Sequence, residues 1–309
     1  MKNLLVILGP TASGKTRLGV KLASLGGAEI LSVDSRQVYR GLDIGSGKDL
    51  DEYVADGKNI PYHLIDIVDL DVEFSVFEFQ RRFFRVFESM QQRGTPGIAV
   101  GGSGLYLEAV LKAYRMLDVP VDERLRSELE ILSLEQLGER LKKYRTTHNT
   151  TDLEDRERLT RAIEIADYTA RHEPEPAPEI DALVLGVRWD RAVLRRRIRD
   201  RLTARLRGGL VEEVEHLHSS GVSWKKLSFL GLEYRFVSEY LRGMIRSDND
   251  LKQKLNSAIC AFAKKQETWF RRMQRRGVLI HWIDEGDVCK AHRVIEANGG
   301  FAGIGSRPT

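Results

Sequence analysis

The amino-acid sequence predicts an α/β protein: a parallel-sheet core with a small all-helical domain inserted into it. Three observations carry that reading. Short apolar runs at residues 4–8, 28–34, 97–100 and 182–187 have strand length and alternate with helical periods, the pattern of a parallel sheet. The first run leads through a glycine-containing turn straight into a helix. Residues 118–171 are charged, helical in period and nearly free of strand signals, yet they lie between strands of core quality. A helical block in that position reads as an insertion. The core is assigned to residues 1–114 and 180–309, the insert to 115–179.

Taken in order, residues 17–23 form the first helix, and 28–34 a strand that ends in Asp34. The glycine-rich, acidic stretch 41–56 reads as loop, and 62–68 as a short strand or its approach. Phe77, Phe84 and Phe87 recur between charges in 74–93, which predicts an amphipathic helix. The strand at 97–100 closes in Gly101-Gly102-Ser103-Gly104. Within the insert, helices are expected at 122–132, 134–144 and 154–168. Pro174, Pro176 and Pro178 make 172–178 a stiff linker back to the core. The last third holds helices at 192–207, 210–219, 233–242 and 250–276, with a strand at 278–282. The glycine-rich tail, 298–309, is expected to fray.

Bulk properties narrow the function classes. No apolar run is long enough to cross a membrane, and no signal peptide fits ahead of the first strand. The two cysteines, Cys260 and Cys289, lack a CxxC pattern and a cluster of histidines beside them, which excludes a zinc finger on ligand count and points to a reducing cytoplasm. A net charge of +4 permits a polyanionic partner without demanding one.

The strongest motif is Gly9-Pro10-Thr11-Ala12-Ser13-Gly14-Lys15-Thr16, which fits G-x-x-x-x-G-K-[ST] between a strand and a helix. The glycines let backbone N–H groups turn around an anion at the positive end of the helix dipole. Lys15 reaches the outer phosphate, and the Thr16 hydroxyl joins a Mg²⁺ shell. The core is therefore P-loop NTPase-like and takes a di- or triphosphate. An ATPase also needs a carboxylate at a strand end beside the loop, but the strand ending at Val100 runs into glycines and offers none. Asp34 ends another strand, and a parallel sheet directs that end to the phosphate loop. Ser103 occupies a turn at a third strand end. Two basic runs follow: nine arginines against two acids in 188–207, and eight basic residues against Glu267 in 252–276. Together they suit nucleic acid.

Six stretches in order resemble the tRNA dimethylallyltransferase family: GPTASGKT, SVDSRQVYRGLDIGSGK (32–48), GGSGLY (101–106), DRERLTRAIE (155–164), RIRDRLTARLRGGLVEEVEHL (197–217) and AFAKKQETWFRR (261–272). The resemblance implies transfer of a dimethylallyl group from dimethylallyl diphosphate to N6 of the adenosine on the 3′ side of the tRNA anticodon. Isopentenyladenosine and diphosphate are the products, and Mg²⁺ is the cofactor. Carried over residue by residue, Asp34 matches the family's base. Lys15, Thr16 and Arg201 match its diphosphate side. Ser103 stands where the family usually has threonine. Asp34, Ser35, Arg36, Gln37 and Ser103, with Arg126, Glu157, Arg158, Leu159, Thr160 and Arg161 in the insert, match its tRNA contacts. Where the family commonly carries Gly-Tyr-x-Glu, this chain reads Gly231-Leu232-Glu233-Tyr234. A cytoplasmic monomer acting on the anticodon stem-loop is the expectation. Two other readings stay open on the residues alone: a small-molecule kinase in which Asp34 activates a hydroxyl, and an RNA-binding module without chemistry.

Overall fold

The computed structural model describes residues 2–144, 155–174 and 176–301. The chain divides into two compact units, residues 1–113 with 179–309, and residues 114–178. The end of the tail expected to fray, 302–309, and residue 154 of the third insert helix lie outside the described residues.

In the larger unit, β1 (Leu4–Leu8) runs into α1 (Lys15–Gly26), followed by β2 (Glu29–Val33). The stretch read as loop contains a one-turn 3-10 helix at Leu50–Tyr53 and a hairpin of β3 (Val54–Ala55) and β4 (Lys58–Asn59). The next strand, β5, is only Tyr62–His63, because Leu64 and Asp66 take positive φ and turn the chain out of the sheet. After it come α2 (Val76–Gln92), β6 (Gly97–Gly101) and α3 (Gly104–Leu111).

The smaller unit comprises α4 (Glu123–Glu130), α5 (Leu134–Lys142) and α6 (Arg156–Thr169). The chain then returns through β7 (Ala182–Arg188), α7 (Arg191–Arg207), α8 (Leu210–Ser219), α9 (Trp224–Phe229), α10 (Leu232–Leu241) and α11 (Asp248–Arg275). It closes with β8 (Ile280–Asp284) and α12 (Val288–Ala297).

The main sheet is parallel throughout, in the order β5-β2-β6-β1-β7-β8. Its central strand β1 is buried at every position, as a strand covered on both faces must be. Alternation sends Leu5 and Ile7 to a layer with α1 and α12, where Leu22, Ala291 and Ile295 pack. Leu4, Val6 and Leu8 go to the opposite layer with Phe79, Phe83 and Phe87 of α2 and Phe270 of α11. The stripe that α2 buries is thus Phe79, Phe83, Phe87 and Met90, while Phe77 and Phe84 are only half-buried. Both sets recur at helical spacing, and only the sheet decides which side turns inward. A third cluster, built by α7 to α11, closes over Val38 and Leu42.

The smaller unit has its own core of Leu125, Leu129, Leu137, Leu141, Leu159 and Ile163. Asp122, Ser133 and Asp155 cap its three helices by accepting hydrogen bonds from backbone N–H groups.

Gly101 marks the tightest place in the sheet. A Cβ there would lie 2.0 Å from the Val33 carbonyl oxygen, so β2 and β6 can pair at this register only around a glycine. Gly101→Ala is expected to lower unfolding stability by about 1–3 kcal/mol, as overpacking against fixed backbone does. Urea denaturation of the two proteins measures it, and coincident midpoints would refute the constraint.

Candidate active site

The ends of β1, β2 and β6, with the start of α1, surround a cavity of about 680 Å³ in the larger unit. Strands of one direction deliver their carboxyl ends to one edge, which is why the turns after β1, β2 and β6 meet here. The β1–α1 turn is a backbone nest: Ala12 and Gly14 have φ of 61° and 82°, so successive N–H groups turn inward. Ser13 is buried, and its hydroxyl has no hydrogen-bond partner among the described residues. Lys15 and Thr16 begin α1 and line the cavity.

One face of α7 reinforces the loop. Arg197, Arg201 and Arg205 recur at four-residue spacing and all line the cavity, while Arg195, Arg196 and Arg199 are exposed. Arg197 donates from Nε to the Ala12 carbonyl at 2.8 Å and stacks 4.3 Å from the ring of Trp189. The Trp189 indole N–H in turn donates to the Ser13 carbonyl at 2.8 Å. Arg201 donates to the Thr11 hydroxyl. Arg205 pairs with Asp49 at 3.0 Å and lies over Gly47, whose φ of +70° and lack of side chain give it room.

So many cations in a partly dry site oppose one another. Lost hydration and then Arg201 push the Lys15 ammonium down to about 8. Burial and Arg205 lower Arg201 to about 10. Both groups gain from an anion placed between them and the loop.

The opposite wall carries acids and hydroxyls. Asp34 follows β2 and lines the cavity. Its Oδ1 accepts from the backbone N–H of Arg36 at 2.8 Å and of Gln37 at 3.3 Å, an Asx turn that fixes the carboxylate. Its Oδ2 has no hydrogen-bond partner among the described residues. Ser103, at the N-cap of α3, accepts from the Ser35 backbone N–H at 3.1 Å. The side chain of Gln37 accepts from Ser32 at 2.8 Å and donates to the Gly47 carbonyl at 2.9 Å. Arg36 turns to α9, donating to the Phe229 carbonyl at 2.7 Å.

Several lining residues escape a reading of the sequence. Arg197 and Arg205 share the four-residue spacing of Arg201, a signal that the density of neighbouring arginines hides. Glu233, in the first turn of α10, lines the cavity, and burial raises its carboxyl above the usual range despite Arg205 and Arg201. Thus Gly231-Leu232-Glu233-Tyr234 still delivers an acid to the site. Tyr234 is buried, donating to Glu213 at 2.8 Å and accepting from the Ser46 N–H at 3.1 Å. Glu213 also accepts from the N–H groups of Asp43, Ile44 and Gly45. That clasp holds the loop wall formed by residues 43–47.

The insert residues form a separate set in the smaller unit. Glu157 and Arg158 are exposed, and Thr160 is half-buried. Arg126 pairs with the buried Glu164 at 2.8 Å; Arg161 pairs with it at 3.1 Å and also donates to the Val119 carbonyl at 2.6 Å. These two arginines brace the insert. Leu159 is wholly buried in the helical core, so its side chain offers no surface to a ligand.

This chain matches the IPP transferase family over residues 37–273. It belongs to that family. The chain is therefore a transferase. It is 57% identical over 299 residues to tRNA dimethylallyltransferase 1 of Geotalea uraniireducens, covering 96% of this chain and 98% of that one. It is 57% identical over 291 residues to tRNA dimethylallyltransferase 1 of Syntrophus aciditrophicus, covering 93% and 95%. Among solved structures it is similar to the tRNA isopentenylpyrophosphate transferase of Bacillus halodurans, with TM-score 0.69, 30% identity and 96% of each chain covered. A eukaryotic dimethylallyltransferase crystallised acting on tRNA shares the fold, with TM-score 0.74 at 21% identity over 96% of this chain and 79% of that one.

The lowered Lys15 pKa makes anion binding in this IPP transferase pH-dependent. An anion favours the protonated ammonium, so affinity for inorganic diphosphate is full below pH 8 and falls above it. Once Lys15 is deprotonated, the loss approaches about tenfold per pH unit. Titration calorimetry between pH 7 and 9.5 should show this decline, and Lys15→Arg should flatten it. The same decline in Lys15→Arg would place the titrating group elsewhere.

Proposed function

We propose that one copy of this chain, in the cytoplasm, transfers the dimethylallyl group of dimethylallyl diphosphate to N6 of the adenosine 3′ to the anticodon in tRNA. The observation that carries the proposal is the pairing, across one cavity, of an anion nest with a fixed carboxylate. The family, and relatives named tRNA dimethylallyltransferase, support reading that pairing as a site of dimethylallyl transfer. Two features favour the cytoplasm: both cysteines are free, and among the described residues no helix is long and apolar enough to cross a membrane.

The diphosphate occupies the nest, with Lys15 and the amides of residues 12–16 around its oxygens and Arg201 beside Thr11. Adenine N6 is a poor nucleophile because its lone pair is delocalised into the ring. As its bond to the allylic carbon forms and the bond from that carbon to the diphosphate oxygen breaks, N6 must lose a proton. Asp34 Oδ2 accepts it, with Oδ1 held by the Asx turn. Ser103 sits on the same wall through Ser35. Positive charge on the allylic carbon needs no counterpart beyond the departing diphosphate, whose own charge the cations of α1 and α7 neutralise. The target base must leave the anticodon stack to reach this wall.

Mg²⁺ fits the donor set. The Thr16 hydroxyl lines the cavity along with Asp49, both hard oxygen donors, and no group of three His, Cys, Asp or Glu that could hold a metal occurs among the described residues. Such a metal would be held by Thr16, with water and substrate phosphate completing its shell, as Mg²⁺ prefers. It would supply further charge for the leaving group. In the insert, Arg158 is exposed and only loosely paired with Asp155 at 3.6 Å, which leaves it free to meet a tRNA phosphate.

The test is mass spectrometry of tRNA nucleosides after incubation with dimethylallyl diphosphate and Mg²⁺: isopentenyladenosine should form without ATP. ATP consumption with a small acceptor instead would turn the assignment to a kinase. Asp34→Asn should cost about 10²–10⁴-fold in turnover while diphosphate binding stays near normal. Full turnover in that variant would remove Asp34 from the role of base. Arg158→Ala should reduce the slope of log affinity for tRNA against log salt by about one unit. An unchanged slope and affinity would take the insert out of tRNA binding at that position.

A further inference from the structure

The side chain of Gln266 lies in the interior of α11 with 8% exposure, and its two polar atoms reach two different walls of the cavity. The backbone N–H of Thr11 donates to its Oε1 at 2.8 Å. Its Nε2 donates to the Gly102 carbonyl at 2.9 Å. One partner is a donor and the other an acceptor, so this orientation of the amide is the one that satisfies both. Thr11 belongs to the phosphate loop and takes the hydrogen bond from Arg201. Gly102 precedes Ser103, which is bonded to the residue after Asp34. The approach is close: a Cβ on Gly102 would lie 2.5 Å from Nε2.

We propose that Gln266 is a positioning residue which fixes the distance between the leaving-group loop and the acceptor wall. It rests on the transfer reaction inferred above. Of the common side chains of this length, only a carboxamide accepts from one backbone and donates to the other at once. An ionised glutamate would place an acceptor against the Gly102 carbonyl, and asparagine is a methylene too short. The helix that carries it is a firm mount: Ile259, Ala263, Phe270 and Met273 anchor it, and Trp269 and Arg272 bond to the buried Glu108 on α3 at 3.1 and 2.9 Å. Gln266 touches neither the nucleophile nor the leaving group in this account. It acts by holding Thr11 and Ser103 in register.

Gln266→Met keeps the volume and the helix propensity and removes both hydrogen bonds, so it separates the tether from packing. Its affinity for inorganic diphosphate should fall about 2–10-fold, the worth of one hydrogen bond to the loop. Its single-turnover rate at saturating dimethylallyl diphosphate and tRNA should fall further, about 10²-fold, because a misplacement near 1 Å is costly to bond formation. The loss should be non-additive with Ser103→Ala, since a displaced Ser103 has less to lose. A residue that only fills the core would lower the melting temperature and leave the rate per diphosphate-binding site unchanged. Gly102→Ala pushes the amide away from the other side without altering α11 and should reproduce the same pattern. The proposal is overturned if folded Gln266→Met keeps the parent's rate within about twofold, or if its loss simply adds to that of Ser103→Ala. It is also overturned if Gly102→Ala behaves as the parent. Failure of the parent chain to prenylate tRNA would sink the transfer reading alone, and the diphosphate titration would still test the tether.

Discussion

Holding positive charge in a half-dry cavity is the constraint on which the rest of this structure depends. Lys15, Arg197, Arg201 and Arg205 share one pocket, and burial penalises the charged forms of the first and third, with Arg201 opposing Lys15 and Arg205 opposing Arg201. Water cannot relieve that repulsion without also competing for the ligand. The fold manages it by tying each arginine to a carbonyl, hydroxyl or carboxylate: Arg197 to Ala12, Arg201 to Thr11, Arg205 to Asp49. The helix α7 that bears them is held by Leu194, Ile198 and Leu202 on its inner side. In the proposed reaction a diphosphate would satisfy what those bonds leave over, and a departing diphosphate more so, because its charge rises as the carbon–oxygen bond breaks.

The parts of this arrangement that the sequence made legible are those decided locally. The phosphate loop could be read because strand, turn and helix are contiguous, and positive φ at Gly14 follows from residue type. The shared direction of strands in a parallel sheet put Asp34, at the end of its strand, at the phosphate-loop edge without any distance being known. Other features depend on which side of a helix the tertiary fold selects. Periodicity in α2 favoured Phe77 and Phe84, but the sheet took Phe79 and Phe83. Gln266 meets Thr11 from 255 positions away, a contact that the matching stretch around it does not reveal. The short α3 and α9 and the terminal α12 went unread.

The insert shows how a motif can match while its residues divide their labour. DRERLTRAIE runs along α6, and a helix must spend part of any conserved-looking run on its own core. Leu159 and Ile163 do that, with Glu164 drawing Arg126 and Arg161 inward as braces. Two arginines on one buried carboxylate leave a surplus positive charge at that surface, so bracing and attracting a polyanion are compatible. Glu157 and Arg158, on the exposed side, are the members of the run with no such duty. A reading by motif alone gives all five positions equal weight, and geometry grades them.

The glycines at the end of β6 support the proposed transfer chemistry over hydrolysis. In a hydrolytic phosphate-loop enzyme a carboxylate near a strand end orients water or metal. Here a side chain at 101 would meet the Val33 carbonyl at 2.0 Å, one at 102 would meet Gln266 at 2.5 Å, and one at 104 would meet the Trp269 ring at 2.4 Å. Each of those positions is closed to an acid by a neighbour that serves another purpose: sheet pairing, the tether to α11, or the seating of α3. Among the carboxylates that line the cavity, Asp34 comes from the end of the adjacent strand, with its second oxygen free of partners among the described residues. An acid displaced sideways from the phosphate loop is poorly placed to drive water at a phosphorus atom. In the proposed transfer it would take a proton from a nucleophile that attacks carbon.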